Sequence, residues 1–151
     1  MNEKQEEKWI RDMAEAMQRQ YESERGLLCE MARVGYFFRD QYEVYIHTDD
    51  PGNEPHFHIR DVSTRGEEFH TCVKIKEAMY FHHDGKEGNL NTHQRKSLMD
   101  FLQSSPSKQY KRIDFPTNWD KVIYEWNENN SKTLVDEEQA IPDYTNIVDN
   151  R

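Results

Sequence analysis

Three times between Val44 and Ile75 the chain alternates apolar and polar residues with a period of two. Val44 and Ile46 alternate with Glu43, Tyr45 and His47. Phe57 and Ile59 alternate with His56, His58 and Arg60. Phe69, Thr71, Val73 and Ile75 alternate with His70, Cys72 and Lys74. Side chains at i and i+2 share one face of a strand, so this period reads as half-buried strands. The turn formers between Asp49 and Pro55, and again between Ser63 and Gly66, separate the runs. A fourth short run, Ala78 to His83, ends at Asp84-Gly85. Strands joined by such short loops form an antiparallel meander.

Helical spacing flanks this block. Trp9, Ile10, Met13, Met17 and Tyr21 recur at three and four residues, and Leu27, Leu28, Met31 and Val34 continue an apolar face past Gly26. Residues 3–33 are therefore read as helix, straight or bent, with Gly35 as its stop. After the strands, Asn91 or Thr92 caps a helix burying Leu98, Phe101 and Leu102. Thr117 with Asp120 forms a capping box for another, which buries Trp119, Val122, Ile123 and Trp126. From Asn127 the chain turns acidic, with scattered Val, Ile and Tyr.

The expected fold is α+β: a three- or four-stranded, mainly antiparallel sheet with the C-terminal helices on one face and an N-terminal helical arm. The expected divisions are the arm over 1–35, a core domain over 36–129, and an acidic, flexible or surface-laid tail over 130–151.

The parity of the strands also predicts a site. The large apolar residues share one parity, and the opposite parity collects Tyr45, His47, His56, His58, Arg60, His70 and Cys72. If the strands are neighbours, one face packs on helices and the other gathers four histidines and a thiol, a grouping that a one-residue register slip would disperse. His56-x-His58 points two imidazoles the same way, about 7 Å apart along the strand. A third nitrogen from His47 or His70 would complete a three-nitrogen zinc site with an open position. Asp49, Asp50 or Asp61 would supply an oxygen or an outer hydrogen bond. The competing reading is structural: Pro55 sets the entry to the strand, Phe57 packs inward, and the histidines tie down the preceding loop. A nucleophilic Cys72 with His58 or His70 would need an oxyanion hole, and no Gly-rich turn or helix start follows Cys72 to build one.

Composition bounds the rest. Leu, Ile, Val and Phe number only 28 of 151 residues, while 8 Tyr and 3 Trp supply large buried areas. A net charge of −9 argues against a nucleic-acid binder, whose phosphate contacts need a basic stripe. Lys108 to Arg112, joined by Arg95 and Lys96, is the one basic candidate. No apolar run approaches ~20 residues, and no apolar leader opens the chain, so a cytoplasmic protein with no membrane span and reduced Cys29 and Cys72 is expected.

Asn53-Glu54-Pro55-His56-Phe57-His58 resembles the Asn-Pro-Pro-His-Phe-His hallmark of a family of small bacterial proteins of unknown function. In that family the motif follows a first strand and precedes two further strands, a helix and a closing helix ending in Leu-x-x-x-Trp. Trp119 to Trp126 is similar to that close, so the likeness covers residues 42–129. Glu54 replaces the first Pro of the motif, and the segment between His58 and Val73 is longer. The resemblance implies a bacterial accessory protein, encoded beside small partners in toxin–antitoxin-like or mobile-element settings. It carries over only His56, Phe57 and His58. Two functions are thus expected in competition. One is an accessory protein acting through protein contacts, with a protein partner or a second copy of itself as a homodimer. The other is a metal-dependent hydrolase, with zinc the candidate ion, centred on His56, His58 and either His47 or His70.

Overall fold

In the computed structural model, residues 2–24, 31–48, 54–82, 87–106 and 115–149 are described. Their elements are α1 (Glu3–Glu24), β1 (Met31–Phe37), β2 (Tyr42–His47), β3 (His56–Asp61), β4 (His70–Lys74), α2 (Thr92–Gln103) and α3 (Asn118–Asn129), with a 3-10 turn at Tyr144–Asn146. The chain divides into two units, Met1–Met31 and Ala32–Arg151. In the first, the Asn2 side chain accepts from the Gln5 N–H at 2.9 Å and starts α1. Trp9, Ile10 and Met13 are exposed on that helix. None of the described helices is long and apolar enough to cross a membrane.

In the second unit the four strands lie in the order β1-β2-β3-β4. This is the expected α+β fold, a four-stranded antiparallel sheet with C-terminal helices. The pairing keeps the parity read from the sequence. Val44 faces Ile59 and Tyr45 faces His58 across β2 and β3. Phe57 faces Val73 and His58 faces Cys72 across β3 and β4. Val44, Ile46, Phe57, Ile59, Val73 and Ile75 are fully buried in one cluster with Leu98, Leu102, Val122 and Trp126 of the helices. Both helix starts are capped as the spacing predicts. Asn91 and Gln94 form one reciprocal box, and Thr117 and Asp120 form the other. Such boxes pair amide donors that the first helical turn leaves over.

Two segments differ from their sequence reading. Met31–Val34, read as the end of the helix, begins a strand. Apolar residues at 27, 28, 31 and 34 fit a helix and a buried strand alike, and pairing with β2 decides between them. Alternation in β1 slips at Gly35. Arg33 and Tyr36 both reach Glu43, while Val34 and Phe37 both enter the core. Gly35 itself lies against α2, where a Cβ would stand 2.8 Å from the Phe101 ring. The predicted fourth strand over Ala78–His83 is also shorter: its described part pairs through isolated bridges, Val73 with Tyr80 and Met79 with Val148.

Residues 130–149 lie over the domain and partly within it. Val135 and Tyr144 are core residues. The Trp126 and Trp119 indole N–H groups donate to the Thr133 and Gln139 carbonyls at 2.7 and 2.8 Å. The Tyr144 hydroxyl donates to the backbone where β4 ends, 2.8 Å from the Lys74 carbonyl. These anchors are too far apart to register as a period, so the segment reads as a tail from sequence alone.

Candidate metal centre

The face of the sheet opposite the apolar core carries the polar parity. Its middle row runs Tyr45, His58, Cys72, set by the two strand pairings. Phe81 extends the row, because its N–H donates to the Cys72 carbonyl at 2.9 Å. One strand position along from His58, on the same face, is His56. His56 and Cys72 are fully buried, and His58 is 6% exposed.

These three residues converge. One ligand atom from each of His56, His58 and Cys72 lies within 4.8 Å of the other two. His58 Nδ1 stands 3.1 Å from Cys72 Sγ. His56 Nδ1 stands 2.7 Å from the Glu54 carbonyl oxygen. A carbonyl only accepts, so Nδ1 carries the proton and, in the neutral ring, Nε2 keeps the lone pair that a metal needs. A backbone carbonyl fixing the far nitrogen of an imidazole is the usual way a ligand ring is oriented. Glu54 is held in turn: its carboxylate lies 3.8 Å from the ammonium of Lys74, the cross-strand partner of His56. Aromatic rings wall the site. The His56 ring sits 4.7 Å from Phe81 and 5.4 Å from Trp126. The His58 ring stacks on Tyr45 at 5.0 Å.

The sequence-derived candidates separate here. His56 and His58 are in the trio. His47 stands beside it, its ring edge-on to His58 with centroids 4.5 Å apart. His70 pairs with Arg60 one row further along the sheet and is not in the trio. The third member is Cys72, which the parity had placed on this face without assigning it as a ligand. Its signal was in the sequence, since it stands two residues after His70 with the same parity.

Other candidates are engaged elsewhere or lie outside the described residues. Burial pushes the Asp61 carboxyl up. Hydrogen bonds from Thr64, Ser63 and the Phe69 N–H outweigh that and leave its pKa below the ordinary carboxylate value. Those contacts make Asp61 the hub of the β3–β4 turn. Arg95, one residue of that basic patch, donates to the Thr145 and Leu90 carbonyls at 3.0 and 2.7 Å. Cys29, Asp49, Asp50, Asn53 and Lys108 to Arg112 lie outside the described residues.

Two imidazoles and a thiol form a donor set of borderline-to-soft character, which suits zinc among the common divalent ions. Among the described residues no carboxylate joins the trio. Searches of family models, curated proteins and solved structures found no match to this chain.

Proposed function

We propose that the protein is a metal-binding accessory protein. His56, His58 and Cys72 hold one transition-metal ion, zinc by the chemistry of the donors. The loaded domain acts through protein contacts rather than as an enzyme. The convergence of three buried ligand atoms within 4.8 Å carries the reading. A bound ion would join β3 to β4 at the centre of the polar face and draw its binding energy into folding. The bacterial, toxin–antitoxin-like setting implied by the Asn53–His58 resemblance belongs to the same proposal.

The number of ligands in the trio favours one rival, a hydrolase. Three protein ligands leave a fourth position for an activated water. Burial argues against it, because His56 and Cys72 have no exposed surface through which a substrate could approach. So does the lack of a carboxylate base in the trio.

The test is metal content. Protein purified without a histidine tag is analysed for metals, then titrated with zinc against a chromophoric chelator. One equivalent is expected, lost in His56→Ala and in Cys72→Ser. Binding of wild type and both variants alike would refute the site. Zinc-dependent hydrolysis of a panel of ester and phosphate substrates by the loaded protein would move the reading to the enzyme.

A further inference from the structure

We infer that His47 is the fourth ligand, swinging onto the metal and closing the centre as a site of one thiolate and three imidazoles. This rests on the trio holding a metal. The first observation is register. Tyr45 faces His58, and continuing that antiparallel pairing by two residues sets His47 opposite His56. His47 therefore stands next to both histidines of the trio, on the same face as Tyr45. The second is contact: the His47 ring meets His58 edge-on, with centroids 4.5 Å apart and planes at 83°.

The third observation is the asymmetry of burial. His56, His58 and Cys72 are buried, whereas His47 is only half-buried. His47 borders the trio on its less buried side, edge-on to His58 and with its ring 5.3 Å from that of Tyr45. The backbone there is fixed. The Asn130 side chain donates to the His47 carbonyl at 3.0 Å, and the Thr48 hydroxyl donates to Asn129 at 3.0 Å. Both partners belong to the C-terminal end of α3, so ligation needs a turn of the His47 side chain and no movement of the strand. His47 lies outside the trio as the side chains now stand. Metal binding would supply the drive for that rotation.

A closed centre has no position for a metal-bound water. His47 thus decides between a metal that stabilises a surface and one that activates a nucleophile. Long-range proton–nitrogen correlation spectra of the zinc-loaded wild type test this without mutation. One ring nitrogen of His47 is expected to show the shift of a metallated imidazole, as in His56 and His58. In His47→Ala, zinc affinity is expected to fall at least about tenfold, because even loss of an outer partner of a ligand costs that much. Free imidazole is expected to restore the wild-type visible spectrum to the cobalt-substituted form of that variant. His47→Gln guards against a fold defect and should show the same loss of affinity.

A wild type that binds zinc but keeps a non-metallated His47, with affinity unchanged in both variants, would overturn the inference and leave the three-ligand site standing. A wild type that binds no zinc would overturn the site itself.

Discussion

Replacing Tyr144 tests whether the C-terminal segment is part of the fold. Its side chain is fully buried, 82° edge-on to Phe57 at 5.6 Å and 6.0 Å from Trp119. Removing a buried aromatic ring costs about 3–5 kcal/mol through lost transfer energy and the cavity left behind. The hydroxyl hydrogen bond to the end of β4 adds about 1 kcal/mol. Tyr144→Ala should therefore cost about 4–6 kcal/mol, a large share of the ~5–15 kcal/mol that a domain holds. Tyr144→Phe should cost only about 1 kcal/mol. Urea unfolding measures both. With a slope of ~2 kcal/mol/M, the alanine midpoint should fall by about 2–3 M.

Alkaline titration separates the hydroxyl from the ring. Burial raises the Tyr144 pKa well above its ordinary value of 10.0. Its contribution is fully present below the unfolded pKa and is lost as pH rises toward the folded one. Tyr144→Phe should therefore flatten the loss of stability above about pH 10. A Tyr144→Ala protein within about 1 kcal/mol of wild type would refute the packing of this segment.

Two further outcomes follow from other contacts. Asp61→Asn should cost about 1–3 kcal/mol at neutral pH, because it weakens the hydrogen bonds that hold the β3–β4 turn. Since the folded pKa of Asp61 is depressed, its stabilisation is present above the unfolded value and lost as pH falls through the folded one. The difference from wild type should therefore shrink in acid urea melts, and a pH-independent difference would contradict the role. Gly35→Ala should cost about 1–3 kcal/mol by overpacking, since its Cβ would sit 2.8 Å from Phe101. Pairing it with Phe101→Leu should return part of that loss in a thermal-melt cycle, and strict additivity would exclude the contact.

How far the sequence revealed this molecule depended on whether a feature was periodic. The strands β2 to β4 and the capped helices α2 and α3 were legible because alternation and cap chemistry are local signals. His56 and His58 were legible as a pair for the same reason, and the shared parity put Cys72 on their face. The place of Cys72 in the trio depended on the β3–β4 register, which set it opposite His58 rather than one pair along. The same register carried His70 to Arg60, away from the trio. β1 was hidden by an apolar spacing that a helix also satisfies. The burial of Tyr144 was hidden because a single aromatic between polar residues has no pattern of its own, and only its packing against Phe57 and Trp119 gives it a place.

X-ray absorption at the zinc edge of the loaded protein bears most directly on the buried trio. One sulfur at about 2.3 Å and imidazole nitrogens at about 2.0 Å are expected, with the sulfur lost in Cys72→Ser. A first shell of nitrogen and oxygen alone, unchanged by that substitution, would contradict a metal held by His56, His58 and Cys72.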